Sequence, residues 1–538
     1  MEQSKVIRSA FMIGGLTSIS RVLGLARDFL TAGFFGTSLP ISAFVVAFRI
    51  PNLFRALFGE GALSSAFVPV FVASRKNEGD DKAWTLARNV ISLVGIALLA
   101  VVVLGVLGIT FFMHRPGLNE KAAMILPLAR IMLPYLFFIC MAGLSMAILN
   151  SYHKFALPAL TPSLLNITWI VFLLAVCPRM GASLEDQIYG LAWGIFAAGM
   201  VQLSVQIPAL VKCGYRPGFS LGLSDPRVIR VFTLMGPAAL GLAVTQVNVM
   251  VNSLLATWIG SWAPAALFYA ERLLYFPQGI LAVALSTVLL PVLSSHAARQ
   301  DHEQIRKTVN HSLRTLLFVM IPAAAGLLAL ARPIVQMIYE WHRFTPESTS
   351  LTSLALQFYA PGLMVFCLAK VFVPVFYATQ DTKTPVKIAL IAVTLNFTLN
   401  IVFILTWPLY MKHAALALAT VISEGFNGIT LGFFLHRRLG SPGWRQIITS
   451  AAKSLAAALG MGIAAVVVHG VLLRAGESLG LVAKLNQIQS VFISILCALA
   501  VYVVLALLLR CPELKDVGEA LRKRRNREQG ISMVNRES

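Results

Sequence analysis

Long apolar stretches recur from one end of this chain to the other, and they constrain its fold more than any other feature. Residues 89–112 and 488–509 are two of these stretches, and neither contains a charged residue. The hydrocarbon core of a bilayer takes about 20 apolar residues per helix. Because 57% of the 538 residues are hydrophobic and only 12% are charged, soluble fold classes are excluded. The pattern predicts an all-α polytopic membrane protein with about fourteen transmembrane helices.

The charged residues between the apolar stretches predict how the chain crosses the membrane. Alternate loops are rich in lysine and arginine, as in residues 75–88 and 437–445, whereas the loops between them hold few. By the positive-inside rule, the basic loops and both termini are cytoplasmic, in a bacterial inner membrane. Topology therefore accounts for the net charge of +21, and no nucleic-acid partner is predicted. Membrane lipids are the expected partners of the basic residues 522–525, which would lie against the anionic inner leaflet.

An internal repeat divides the predicted helices into two groups. When the chain is shifted by about 223 residues, residues 161–162 align with 384–385, and residues 47–49 align with 270–272. The aligned points lie six predicted helices apart, so the two copies have the same orientation in the membrane and predict two lobes around a central cavity. The predicted domains are an N-terminal six-helix lobe at 1–222, a C-terminal six-helix lobe at 223–440, two additional helices at 441–510 and a basic cytoplasmic tail at 511–538.

Several arginines lie inside predicted membrane helices, where a charged side chain costs about 2.5–3.5 kcal/mol and needs a reason. Five arginines accompany three acids, which leaves a cationic excess of two. The planar guanidinium stays charged when desolvated and matches phosphate oxygens with paired donors. A site for a phosphate or diphosphate is therefore predicted. Its candidate residues are Arg21, Arg27, Asp28, Arg49, Arg55, Glu60 and Arg272, and Glu271 is the third acid of the count.

The same charged residues permit a structural interpretation. Arginines near helix ends can extend to the interface, and Arg27 can pair locally with Asp28. Lys370 and Glu424 stand alone in their helices, and we expect them to be structurally paired. Pro51, together with glycines at 59 and 61, is expected to bend the second membrane span.

No catalytic or metal-binding motif stands out in the sequence. The six cysteines are scattered without metal-ligand spacing, and no G-x-x-x-x-G-K-[ST] phosphate loop is present. The sequence therefore predicts a transporter rather than an enzyme, with no organic cofactor. A monovalent cation or the membrane potential is left as the driving force.

Six segments resemble one family, the MurJ (MviN) lipid II flippases. Near the N-terminus they are residues 20–28 (SRVLGLARD), 43–55 (AFVVAFRIPNLFR) and 60–69 (EGALSSAFVP), and later residues 269–273 (YAERL), 380–387 (QDTKTPVK) and 415–420 (ALALAT). The resemblance implies a MOP-superfamily fold and outward transfer of lipid II, an undecaprenyl-diphosphate-linked disaccharide pentapeptide, by alternating access. It also implies that the diphosphate is held by arginines at family positions, with two acids beside them: Arg21, Arg27, Arg55 and Arg272, with Asp28 and Glu60.

Two departures from the family pattern affect what the resemblance implies. Ser42 stands where the family often has an acid. Some relatives bind sodium through a set of positions, two of them carboxylates there, that correspond here to Asn252, Asn396, Asn400 and Thr420. A site without negative charge is expected to bind sodium weakly, and hydrogen bonding between helices explains the same amides equally well.

Two other functions remain open from the sequence. One is a MOP-superfamily exporter of another polyprenyl-linked glycan or of a drug, although an arginine excess does not suit cationic drugs. The other is a membrane scaffold for cell-wall synthesis enzymes, in which the charged helices only pair with partner helices. Such enzymes are also expected partners of a flippase.

Overall fold

A computed structural model describes residues 2–59, 62–478 and 482–514 of the chain. Throughout these ranges the regular structure is helical, and no β-strand is present. This confirms the predicted all-α class. By contact, the chain separates into two compact units: unit 1 runs to Phe268 and includes Tyr339–Ser348, and unit 2 consists of Tyr269–Ile338 and the chain from Thr349. The lobes predicted from the repeat, with boundaries at 222 and 440, stay a prediction.

Among its described residues, unit 1 contains ten α-helices and the start of an eleventh. The helix α10 packs on α2 and α3, and α1 packs on α7. The helices of this unit are α1 Glu2–Phe35, α2 Leu39–Phe54, α3 Ala62–Glu78, α4 Asp80–Met113, α5 Glu120–Met132, α6 Tyr135–Ser151, α7 Ala156–Val171, α8 Leu184–Ser204, α9 Ile207–Lys212 and α10 Pro226–Ile259, followed by α11 Ala263–Ala298, which continues into unit 2.

Unit 2 is built on α12, α15 and the helices that follow them. The helix α17 packs on both α15 and α16, while α18 packs on α12 and α19. The other α-helices of the described residues are α12 His302–Ala329, α13 Ala331–Tyr339, α14 Pro346–Tyr359, α15 Gly362–Ala378, α16 Lys383–Thr406, α17 Lys412–Leu439, α18 Trp444–Ser478 and α19 Ala483–Leu508.

Ten helical segments within the described residues are long and apolar enough to cross a membrane, and the number is twelve if the bent pairs α5–α6 and α14–α15 each form one span. The predicted total of fourteen is therefore not confirmed. The long helix α1 is not among these segments, because Arg21, Arg27 and Asp28 fall within one membrane-length stretch of it. On α4, Leu104 and Leu107 are 69% and 61% exposed. Apolar side chains exposed in such numbers indicate a lipid-facing surface.

Polar side chains fix the starts of several helices where the loops end. Asn119, Ser183, Asp225 and Asp301 each accept a hydrogen bond, 2.8–3.1 Å long, from a backbone N–H in the first turn of the helix that follows. These bonds satisfy backbone donors that have no partner within the helix. The sequence thus defines where the helices α5, α8, α10 and α12 begin.

The segment Tyr339–Ser348 forms a strap that belongs to unit 1, although helices of unit 2 flank it in the chain. Trp341 stacks on Phe29 with ring centroids 4.9 Å apart and donates from its indole nitrogen to the Phe29 carbonyl at 3.0 Å. The Gly33 carbonyl accepts from the Arg343 backbone N–H at 3.1 Å and lies 3.0 Å from the His342 Nδ1. The strap is thereby fixed to the last turns of α1.

The C-terminal end of the described chain is anchored to unit 2 by a buried acid. Glu513 is 1% exposed and accepts hydrogen bonds from the Arg314 Nε at 2.6 Å and the Ser450 hydroxyl at 2.8 Å. These partners lie on α12 and α18, so the end of α19 is fixed to both. The predicted basic tail lies, from residue 515 onward, outside the described residues.

Asp381 joins the start of α16 to the end of α17. Its carboxylate accepts from the backbone N–H groups of Lys383 and Thr384, at 3.1 and 3.0 Å, and pairs with Arg438 at 2.6 Å. Burial raises the pKa of Asp381, but the hydrogen bonds from Thr384 and the charge of Arg438 outweigh it, so the net pKa is lowered. The geometry at the start of α16 therefore depends on an ionised side chain.

Asp381→Ala is expected to lower the free energy of unfolding by about 1 kcal/mol, the usual cost of removing a side-chain cap. Because the native pKa lies below the unfolded value of about 3.9, this stabilisation is present at neutral pH and is lost as pH falls through the native pKa. Thermal unfolding of the purified protein, compared with the variant at pH 7 and under acid conditions, measures the difference. Arg438→Gln is the control, and its effect should be smaller because Arg438 is half exposed. A difference that grows on acidification would contradict this assignment.

Candidate functional site

Arg27 lies inside unit 1, on the face of α1 that packs against α7. It is 6% exposed, and Asp28 beside it is 5% exposed. The Arg27 Nε and Nη2 donate to Asp28 Oδ1 at 2.9 and 2.6 Å, and Nη1 donates to Asn166 Oδ1 at 3.0 Å. Its guanidinium carbon lies 4.5 Å from the centroid of the Trp169 ring. Arg27 therefore occupies a buried pocket of hydrogen bonds and cation–π contact in this conformation.

Asn166 and Trp169 complete this pocket, and the sequence analysis did not identify either. Asn166 also donates from Nδ2 to the Ser20 carbonyl at 3.0 Å, which links α7 to the backbone of α1. Trp169 donates to the Thr31 hydroxyl at 3.0 Å, and Thr31 donates to the Arg27 carbonyl at 2.7 Å. An amide and an indole N–H in an apolar helix need hydrogen-bond partners. This requirement is the feature of the sequence that could have indicated Asn166 and Trp169 as part of the pocket.

Arg49 and Arg55 lie at the far end of α2, where the span changes geometry. Arg49 donates from Nε to the Ser253 hydroxyl of α10 at 3.1 Å, and Arg55 donates from Nε to the Asn52 side-chain oxygen at 3.0 Å. Pro51 lies within the helix, and a π-helical turn, Arg55–Gly59, follows Phe54. The interruption occurs where the sequence predicts a bend. Both arginines are partly exposed, unlike the buried Arg27.

The other charged candidates are distributed over the two units. Arg21 lies in unit 1 and is partly exposed. Arg272 lies in unit 2 and is also partly exposed, and its neighbour Glu271 accepts a hydrogen bond from the Tyr359 hydroxyl at 3.3 Å. Glu60 lies outside the described residues. Within unit 1, the structure thus brings Arg27 together with Asp28.

Ser42 occupies the position where the family often has an acid, and its role here is visible in unit 1. It is 2% exposed, and its hydroxyl accepts a hydrogen bond from the Ala265 backbone N–H at 3.3 Å. Ala265 lies in the first turn of α11, where backbone donors have no partner within the helix. The Ser42 hydroxyl therefore satisfies this backbone N–H, which the carboxylate of an acid at the same position could also do.

The amides predicted as a weak sodium site form hydrogen bonds within unit 2. Asn396 and Asn400 are fully buried on α16, and Asn400 Nδ2 donates to Asn396 Oδ1 at 2.9 Å. Asn396 Nδ2 lies within hydrogen-bonding distance of the Ser423 and Thr420 hydroxyls of α17, at 3.3 and 3.5 Å. Asn252, the fourth predicted ligand, lies on α10 in unit 1. This geometry fits hydrogen bonding between helices, and sodium binding stays a prediction.

Metal-binding clusters of three or more histidine, cysteine or acidic residues are absent from the parts of the chain that the structure describes. The titratable residues there are mostly distributed singly along helices.

Comparison with known proteins identifies the family. A family model described as "Lipid II flippase MurJ" matches residues 31–484. A probable lipid II flippase MurJ of Bdellovibrio bacteriovorus is 32% identical over 528 residues, which cover 96% of this chain and 97% of that protein. The chain belongs to the MurJ lipid II flippase family. Another MurJ protein, from Vibrio cholerae, is 35% identical over 447 residues and covers 80% of this chain and 83% of its own length.

Solved structures agree with the MurJ assignment. One described as "Lipid II flippase MurJ, inward closed conformation" superposes with a TM-score of 0.74 at 26% identity and covers 93% of this chain and 99% of that chain. An inward-facing MATE multidrug transporter of the MOP superfamily reaches a TM-score of 0.64 at 13% identity, covering 80% of this chain and 98% of its own. At that identity the likeness concerns the fold alone. Together they confirm the predicted membership of the MurJ family and the MOP fold of a multi-pass membrane transporter.

Proposed function

We propose that this protein transfers lipid II from the cytoplasmic to the outer face of the bacterial inner membrane. The observation that carries the proposal is the set of arginines placed in long helices of a chain that belongs to the MurJ family. A diphosphate between a lipid and a sugar is a compact anion that must pass a low-dielectric region. Guanidinium groups stabilise it there by charge and by paired hydrogen bonds.

Arg21, Arg55 and Arg272 are the residues proposed to hold the diphosphate directly. All three are partly exposed, so a ligand can approach them without unfolding a helix contact. Arg49 adds positive charge, and its bond to Ser253 directs its side chain toward α10. Glu60 is proposed to balance the charge of this group between transport steps.

Arg27 has a different part in the proposed cycle. Its guanidinium is held by Asp28, Asn166 and Trp169, so contact with phosphate requires an exchange of these partners. Exchange of one oxyanion for another preserves the hydrogen bonds of a guanidinium and is therefore less costly than their loss. Arg27 thus couples substrate arrival to the packing of α1 against α7.

Transport proceeds by alternating access, with both termini in the cytoplasm and the lipid tail remaining in the bilayer. An inside-negative membrane potential favours outward movement of an anion by about 2.3 kcal/mol per charge per 100 mV. The potential or a monovalent cation therefore supplies the driving force, without an organic cofactor or a catalytic step. Membrane lipids surround the protein, and cell-wall synthesis enzymes that consume lipid II are its proposed partners.

Cells depleted of this protein provide the test, because lipid II accessible from outside the cell can be measured after complementation. The wild type should restore external lipid II, and Arg272→Ala should not, because it removes a cation from the diphosphate site. Arg115→Ala is the matched control, since Arg115 is an exposed arginine beyond the end of α4. Failure of the wild type to restore external lipid II would refute the flippase function. Full restoration by Arg272→Ala would refute only the assigned role of that residue.

A further inference from the structure

Glu424 lies in the middle of a membrane helix, and no role in the proposed diphosphate site accounts for it. It is twelve residues from the start of α17 and fifteen from its end, which corresponds to about 18 and 22 Å along the axis. Ile422 and Ile429 nearby are 40% and 67% exposed and apolar, as expected for a surface in lipid. An ionised carboxylate at such a depth carries an energetic cost and usually marks a functional group.

Glu424 and Lys370, each expected to be structurally paired, do not form an ion pair with each other in the described part of the chain. Lys370 lies on α15, which packs against α17, and its positive charge acts on Glu424 from beyond ion-pair distance. The other lysines and arginines of α15, α16 and α17 lie within the first five residues of α16 or at the two ends of α17. Lys370 is therefore the one charge on the three described helices that faces this carboxylate at mid-membrane depth. The anion is partly stabilised but is not neutralised.

Asn427, one turn further along α17, offers a group to each protonation state of Glu424. Its Nδ2 donates to Glu424 Oε2 at 3.3 Å, slightly longer than the usual range of about 2.7–3.2 Å. Its Oδ1 is buried and has no hydrogen-bond donor among the described residues. A carboxylate can only accept a hydrogen bond, whereas a protonated carboxyl can also donate one. The unsatisfied amide oxygen is thus the acceptor that a protonated Glu424 needs.

We propose that Glu424 is a proton-binding site of this protein, with Asn427 and Lys370 as its positioning partners. A proton passes from hydronium to a carboxylate oxygen, an O–H bond forms, and water is released. The acid donates to the Asn427 amide oxygen, while the anion accepts from the amide nitrogen and is stabilised by Lys370. Glu424 is partly exposed and Lys370 is exposed, so the helix packing of unit 2 does not enclose either side chain completely. Glu424 would thus give the proposed transporter a bound proton in addition to its lipid substrate. Proton binding at Glu424 does not require lipid II.

Infrared difference spectroscopy of the purified full-length protein during a pH titration tests this proposal directly. A band from a protonated carboxyl should appear on acidification in the wild type and be lost in Glu424→Gln, which keeps the size of the side chain. Glu303→Gln, at an exposed carboxylate near the start of α12, should leave the band in place. An identical carboxyl titration in Glu424→Gln and the wild type would overturn the proposal.

Lys370→Gln gives a second, independent measurement on the same protein. Without the cation that favours the anion, the Glu424 carboxyl should keep its proton to higher pH, so the titration midpoint should move upward. An unmoved midpoint would remove Lys370 from the site.

Translocation of lipid II in vesicles completes the test. The rate should depend on pH in the wild type and lose that dependence in Glu424→Gln. If the wild type itself does not move lipid II, the proposed flippase function is refuted. The spectroscopic result on Glu424 does not depend on that outcome.

Discussion

Arg27→Ala is expected to reduce lipid II translocation by at least about 100-fold, because it removes the cation that is paired with the buried Asp28 and the group proposed to exchange onto phosphate. Truncating one partner of a buried ion pair costs about 3–5 kcal/mol, and a factor of ten in an equilibrium corresponds to about 1.4 kcal/mol. The loss also removes a hydrogen bond to Asn166 and the contact with Trp169. Translocation by purified protein in lipid vesicles, together with its thermal unfolding, measures both consequences.

The double variant Arg27→Ala/Asp28→Ala separates the two roles of Arg27. It removes both charges, so the stability lost in the single variant should largely return. Translocation should remain absent if the guanidinium meets the substrate. Arg27→Lys adds a further comparison, because an ammonium carries the charge without the planar fork of donors. Recovery of transport in the double variant would mean that Arg27 acts only as the partner of Asp28.

Gly33→Ala is expected to displace the strap from α1 and to destabilise unit 1 by about 1–3 kcal/mol, the usual range for overpacking. A Cβ added at Gly33 would overlap the indole ring of Trp341. The ring is fixed by stacking on Phe29 and by its bond to the Phe29 carbonyl, so it has little freedom to move away. A lower unfolding temperature and a loss of translocation should appear together.

A second substitution tests whether the overlap itself causes the effect. Trp341→Ala removes the ring, so the pair Gly33→Ala/Trp341→Ala should be no less stable than Trp341→Ala alone. Gly108→Ala on α4 is the matched control, since a Cβ there meets nothing within 4 Å. If Gly33→Ala is as well tolerated as Gly108→Ala, the fit of the strap against α1 is looser than described.

The parts of this protein that follow from local chemistry could be predicted from its sequence. Apolar stretches of membrane length specify the helices, and side chains such as Asp225 and Asp301 mark where two of them begin. The cluster of arginines and the family resemblance were likewise readable, since each rests on residue type and order alone. The helix count was harder, because Arg21, Arg27 and Asp28 fall within one membrane-length stretch of α1, and because two candidate spans are bent pairs of shorter helices.

Contacts between distant segments could not be read in the same way. Asn166 and Trp169 meet Arg27 across 139 and more residues of sequence, and apolar periodicity carries no information about which helix faces which. The partners of Lys370 and Glu424, each expected to be structurally paired, could not be named for a related reason. Both lie at mid-helix, but the distance between two side chains depends on helix rotation, which residue spacing along one helix does not determine.

The strap has a consequence for the order in which this protein can be assembled during synthesis. Phe29 is made early, and Trp341 follows it by 312 residues. At a translation rate of about 5–20 residues per second, this separation corresponds to about 15–60 s. During that interval the end of α1 lacks Trp341, and the Gly33 carbonyl lacks the Arg343 N–H. Unit 1, although it begins at the N-terminus, therefore reaches its final packing only after the first segment of unit 2, Tyr269–Ile338, has been synthesised.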